Sequence, residues 1–251
     1  LDLHFDTDAE KRKSSEIAQL IRKWFPHTVN HHLWNDDLRF HSVIRKGCWP
    51  LSPFTVWFLF HLAAAGQHLQ QRSALSLLGD AFKKFDTTEI KDIASWELTP
   101  VDLWSDDLEH DLRISEEAGN LGTITNSFAT VISRYGHKIT KEEIRILKAI
   151  VLSAKTGLNA AGKEDAISAL AELSGLKDAA ASELINQLES EYNIIAWDPN
   201  FRQFEILGDA ISRTQFISYL NKRIASSYDD RAKSQLFVRK ASDWCDLLSD
   251  Q

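Results

Sequence analysis

Residues 49–82 read Trp49-Pro-Leu-Ser-Pro53 and then FTVWFLFHLAAAGQHLQQRSALSLLGDAF, the most apolar stretch of the chain. Pro50 and Pro53 bracket a turn. Ser52 is placed to cap a helix with Pro53 at its first position, where a missing N–H costs no hydrogen bond. From Phe54 to Ala65 every residue except Thr55 and His61 is apolar. These twelve residues fall short of the about 20 that a bilayer requires, so the segment predicts a helix buried on most sides. His61, on an apolar face, reads as a core histidine with a backbone partner. Gly66 supplies a stop, and a second helix over Arg72 to Phe82 would use Leu75, Leu77, Leu78 and Phe82 as its apolar set.

Upstream, Asp6 or Asp8 is positioned to cap a helix through Glu10, Ile17, Leu20, Ile21 and Trp24, ended by Pro26. Lys11, Arg12 and Lys13 fall on its solvated face. His27, His31 and His32 follow, with His41 further on. The i,i+4 spacing of His27 and His31 matches many zinc pairs, but the Glu of a metalloprotease motif is missing and Pro26 and Asn30 favour a polar connector. FHSVI (40–44) predicts a strand.

Downstream, residues 86–117 carry eleven acids against Lys91 and Arg113, interleaved with Trp96, Leu98, Val101, Leu103, Trp104 and Leu108. That mixture describes either a solvated helical face or an acidic surface for a basic partner. A helix over Ile124 to Tyr135 ends at Gly136. Thr140-Lys-Glu-Glu143 is a capping box opening a helix with Ile144, Leu147, Ile150 and Val151 at helical spacing. Further helices follow at Lys163 to Gly175 and Asp178 to Ser190. Asn193 to Trp197, a turn at Asp198-Pro-Asn200, and Gln203 to Leu207 then form a hairpin. Three helices and a β-wing give the winged-helix order. A long helix, Ile211 to Ser226, and a short amphipathic tail complete the chain.

The 251 residues, 43% hydrophobic and 26% charged, suffice for a sizeable core. A net charge of −7 argues against a surface devoted to nucleic acid. Cys48 and Cys245 suggest neither a disulfide framework nor a zinc ribbon, and fit a reducing cytoplasm. No signal peptide or membrane span is visible. Met is absent throughout and Leu stands first, which leads us to expect either a segment of a longer protein or a sequence missing its modified methionines.

The aromatic-Pro-Leu-Ser-Pro turn, the apolar helix, Gly66-Gln67 and Arg72-Ser73 before another apolar helix resemble a segment of large bacterial P-loop ATPases. These form the AAA+/STAND-like group, including ATPases of phage-defence systems; the family usually has His at the place of Ser52. The resemblance covers about 30 residues, which follow the nucleotide-binding core in that family and open its helical lid. It implies a mainly α fold: a helical lid-like bundle followed by a winged-helix domain with a small β-hairpin wing. Residues 1–48 would be a connecting segment at the end of the core, 49–136 the lid-like domain, 137–208 the winged helix and 209–251 a C-terminal helical extension. It also implies that Arg72 contacts the nucleotide, since an Arg early in such a lid reaches the γ-phosphate and its planar fork neutralises charge that shifts during transfer. An exposed Arg paired with a neighbouring carboxylate is the structural alternative. ATP and Mg²⁺ would belong to a full-length parent, because this chain alone is expected to bind no cofactor.

Gly157-Leu-Asn-Ala-Ala-Gly-Lys163-Glu164 matches a phosphate-binding loop at all but its last position, where Ser or Thr must hold Mg²⁺. No buried strand precedes it, so it reads as a helix–helix turn. No complete catalytic motif and no metal site is present in the sequence. The helix that would enter a DNA groove, 178–190, contains Asp178, Glu183 and Glu189 and no Lys or Arg, which opposes phosphate contact. Basic residues gather instead on the helix at 138–148 and in the C-terminal segment, where Arg213, Lys222, Arg223, Arg231 and Lys233 are the candidate contacts for nucleic acid or a partner. Any binding to nucleic acid through them is expected to be weak.

Two functions compete. One is the lid and winged-helix part of a P-loop ATPase, coupling ATP in an absent core to a protein partner or subunit. The other is a non-enzymatic winged-helix module that binds protein or nucleic acid through the basic C-terminal segment. A helical metal-dependent enzyme using the histidines is a third, weaker reading.

Overall fold

Thr7 starts the first helix: its side chain accepts from the Glu10 amide, with Asp8 and Glu10 in the first turn favouring the positive end of the dipole. The cap is therefore Thr7, one residue from the Asp8 expected; Asp6 lies outside the described residues. The computed structural model describes residues 5, 7–62, 74–86, 96–118 and 123–208. These lie in one compact unit, Leu1–Asp209, separate from Ala210–Gln251. Arg72, Arg213, Lys222, Arg223, Arg231 and Lys233 all lie outside the described residues, as do the Gly66 stop and the C-terminal helix.

The fold is mainly helical. Helix α1 (Asp8–Trp24) leads through a 3₁₀ turn (Pro26–Asn30) and a short helical turn (Asp37–Arg39) into a π-helix, Phe40–Gly47. This overturns the strand expected over FHSVI. Phe40, His41, Ile44 and Arg45 are the buried residues, and this spacing belongs to a coil and not to a pleat. Five residues are too few for alternation to separate the two periods.

The Trp49–Pro50 peptide is cis. Ser52 then caps α2 (Pro53–Phe60) through the Thr55 amide, with Pro53 at the first turn as read from sequence. The helix buries Pro53 through Phe58 and ends at Phe60, and residues 63–65 of the expected helix lie outside the described residues. His61 takes non-helical backbone angles, its amide bonds back to Trp57 and Phe58, and its Nδ1 sits 2.9 Å from the Trp57 carbonyl. The half-buried His61 thus has the backbone partner expected of it. Helix α3 (Ala74–Phe85) buries Leu77 and Ala81, whereas Leu75 and Phe82, assigned inward from sequence, are exposed.

A 3₁₀ turn (Pro100–Leu103) precedes α4 (Asp106–Glu117) and α5 (Ile124–Tyr135). The acids of residues 96–117 divide by role. Asp106, Asp107 and Glu117 are exposed, while Glu116 is buried, its carboxylate accepting from the Thr125 and Asn126 amides at the start of α5 and pairing with Lys155 at 2.7 Å.

Helices α6 (Lys141–Lys155), α7 (Lys163–Ser174) and α8 (Asp178–Asn186, running into a π turn at Gln187–Glu191) are followed by β1 (Ile195–Asp198) and β2 (Gln203–Ile206). The Thr140–Glu143 capping box opens α6 as expected. The strands pair antiparallel with Trp197 opposite Phe204, and Asp198 closes the turn by accepting from the Asn200 and Phe201 amides. Three helices and a hairpin in this order are what the winged-helix pattern predicts. Among the described residues no helix is long and apolar enough to cross a membrane.

Candidate functional site: a charged cleft between the first helix and the three-helix unit

The near-match to a phosphate loop is used up structurally. Residues 156–162 join α6 to α7, and three of the loop amides are committed within the protein: Leu158 to Ser153 O, Ala160 to Arg202 O, Ala161 to Trp24 O. The Lys163 ammonium lies 2.6 and 2.8 Å from the two Glu189 oxygens. With these amides turned to the protein's own carbonyls and the lysine held by a carboxylate, the segment is built as a connection between helices. The helix–helix turn is the correct reading.

The histidines pack as rings. His61 stacks on Trp57 at 4.1 Å, His31 on His32 at 4.9 Å, and His27 meets Trp57 edge-on. Among the described residues no group of three or more His, Cys, Asp or Glu side chains is disposed to hold a metal. Burial lowers the pKa of His27, and the neighbouring His61 lowers it further. For His31 burial again acts first, followed by His32 and His61.

A cleft of about 690 Å³ lies elsewhere, between α1, the start of α2, the strap at 96–102 and the end of α7. Its apolar wall comes from Ile17, Leu20 and Trp24 of α1, with Phe54, Phe85 and Trp96 beside them. Its polar wall is a pair of guanidinium–carboxylate units. Arg145 of α6 uses all three of its nitrogens: Nε donates to Ser174 O at 2.7 Å, Nη1 to Asp102 at 2.9 Å and Nη2 to Thr99 Oγ1 at 3.2 Å. Asp102 in turn accepts from the Thr99 amide and hydroxyl. Gly175 stands beside this network at φ +70°, ending α7 in the left-handed conformation. A Cβ there would come within 3.0 Å of the Thr99 methyl group and 3.4 Å of Arg145 Nη2, so both backbone and space call for glycine.

Arg45 is the second unit. The π-helix turns it inward until only 5% of its side chain is exposed, and Nη1 donates to Glu97 on the strap. Its Nε–H is buried without an acceptor. Rare π-turns of this kind recur where a side chain must be re-aimed at a site. Glu172 completes the polar wall on the solvent side. Protein mass crowded around this otherwise exposed carboxyl raises its pKa, and Glu97 and Asp178 raise it further, against the opposing pull of Arg45. Lys13 and Lys177 flank the opening, both exposed.

No family model, curated protein or solved structure matches the chain. The cleft therefore rests on its own geometry. Nothing local in the sequence marks it: Glu97 and Asp102 are two of many acids in their run, Arg145 one of several bases on its helix, and Arg45 directly follows a stretch that reads as a strand. The partners are 52 and 43 residues apart, beyond the reach of any periodicity.

Proposed function

We propose that the chain is the lid and winged-helix part of a P-loop ATPase, working with a nucleotide-binding core that this sequence does not contain. Its task is to close over ATP and pass the nucleotide state to a protein partner or neighbouring subunit. The observation that carries this is how the resembling block is seated. Trp57, in the middle of α2, donates its indole N–H to the Thr156 carbonyl at the end of α6. Ser52 N donates to Leu98 O and Leu98 N to Pro50 O, and the same strap delivers Thr99 and Asp102 to Arg145 on α6. A shift of the Trp49–Phe60 block would thus be felt directly by the three-helix unit, which is what a coupling element requires.

A protein partner suits the surface better than DNA. The exposed Asp178 and Glu183 belong to the helix that would read a groove, where phosphate contact demands cations. A cytoplasmic location belongs to the same proposal. Arg72 is its nucleotide-contacting residue. In the full-length parent, Arg72→Ala should lower ATP turnover by about tenfold or more with an unchanged circular dichroism spectrum. Turnover equal to the wild type would remove Arg72 from the mechanism, and a parent gene with no upstream GxxxxGK[ST] would remove the ATPase reading altogether.

A further inference from the structure

The charged cleft has the dimensions of a small-molecule site. Its volume of about 690 Å³ falls within the range of about 300–1,000 Å³ that holds small organic molecules. One side is apolar: Leu20 is 44% exposed on α1 with Ile17 one turn before it, Trp96 adds half-buried indole surface, and the largely buried Trp24 lines the same wall. The other side holds a cation almost wholly withdrawn from water whose Nε–H has no acceptor. A buried guanidinium donor without a partner is costly, and an acceptor supplied from outside the chain would remove that cost. Four cationic side chains (Lys13, Arg45, Arg145, Lys177) line the cleft against three acids (Glu97, Asp102, Glu172), and two of those acids already serve a guanidinium.

We propose that the cleft between α1 and the end of α7 binds a small organic anion with a flat apolar body. The anionic group is held by Arg45 with Lys13 and Lys177, and the body lies against Leu20 and the Trp24–Trp96 wall. Carboxylate and phosphate both match a guanidinium fork, so the head group is one of these two. The raised pKa of Glu172 lets the one acid that would face the ligand unpaired lose its charge earlier as pH falls than an ordinary carboxyl would, which makes the opening more favourable to anions. This site is independent of the ATPase reading, since its probes carry no nucleotide and its failure would leave the coupling role untouched.

The test is a calorimetric titration of the whole chain with 2-naphthoate, 1-naphthyl phosphate and the uncharged 2-naphthalenemethanol. At least one anion should bind with a Kd below about 1 mM, and the neutral analogue about tenfold or more weaker. The tighter of the two anions names the head group. Leu20→Glu and Lys177→Glu change exposed positions and leave the core intact; each should weaken the anion about tenfold, whereas Lys141→Glu, away from the cleft, should not. Glu172→Gln should tighten binding. Arg45→Lys, which keeps the charge but loses the fork, should weaken it without unfolding the chain. The proposal fails if neither anion binds below about 1 mM, if the neutral analogue binds equally well, or if Leu20→Glu and Lys177→Glu bind as the wild type does.

Discussion

Replacing Lys155 by Met should be among the most damaging single changes in the described part of the chain. The Lys155 ammonium and the Glu116 carboxylate lie 2.7 Å apart with both side chains fully buried. Glu116 is also the anchor of α5, accepting from the Thr125 amide at 2.7 Å, the Asn126 amide at 2.9 Å and the Asn126 side-chain amide at 3.0 Å. Met fills nearly the same volume, so cavity formation contributes little; the cost is a carboxylate left in the interior without its cation. Removing one member of a buried pair costs about 3–5 kcal/mol. With a urea m-value of about 2.5 kcal/mol/M, the midpoint should fall by about 1–2 M. Glu116→Gln should cost a similar amount, because the amide removes the charge opposite the Lys155 ammonium and turns an NH₂ toward donors that need an acceptor. In Lys155→Met/Glu116→Gln the stranded charges disappear together, so the double variant should lose less than the sum of the two, with a coupling of about 2 kcal/mol or more. Urea unfolding followed by circular dichroism and tryptophan fluorescence measures all four corners. A cost below about 1 kcal/mol for Lys155→Met would mean that water reaches the pair, and the reasoning would fall.

Acidification should weaken the histidine–aromatic cluster. His27 and His31 have folded-state pKa values below the ordinary 6.5, so the unfolded chain takes up protons first; their contribution is fully present above that pH and is lost as pH falls below it. Thermal unfolding across pH 7.5 to about 5 should show a steeper loss for the wild type than for His27→Gln/His31→Gln, and parallel profiles would contradict this. Binding to duplex DNA, if measured by anisotropy at two salt concentrations, should be sequence-independent and disappear on reversing Lys222 and Arg223 to Glu, with Asn186→Ala and Gln187→Ala without effect. Sequence-selective binding that depends on Asn186 or Gln187 would make the third helix a DNA reader after all.

What the sequence discloses here is what is local. Thr140 and Glu143 are three residues apart and satisfy each other, so α6 can be located to the residue. The Ser52-Pro53 start of α2, Ile124–Tyr135 and the hairpin at Asp198-Pro-Asn200 follow from the same short-range chemistry. The errors arise where distant partners decide. His41 and Arg45 are polar residues turned inward because Ser14 and Glu97 receive them, 27 and 52 residues away, and without those partners the segment reads as an alternating strand. Leu75 and Phe82 look like core because α3 is apolar on more than one face, and only packing selects the Leu77–Ala81 side. The cleft was illegible for the same reason: it is an encounter of segments far apart in the chain, each ordinary by itself.

Arg45 reaches the cleft through a matter of counting. In the π-helix Phe40–Gly47 each hydrogen bond spans one residue more than in an α-turn, so this stretch carries surplus chain that an ordinary helix would have no room for. Losing a single residue there would let the segment relax into regular turns and swing the positions after the deletion by about 100°. The Trp49-Pro-Leu-Ser-Pro53 anchor, tied to Leu98 from both sides, would hold one end still, and position 45 would turn away from Glu97. Two sequences could then align perfectly at the arginine and yet differ in whether it lines the cleft. Among relatives of this chain, the number of residues between His41 and Trp49 is therefore a better marker of the cleft than the identity of any one of them.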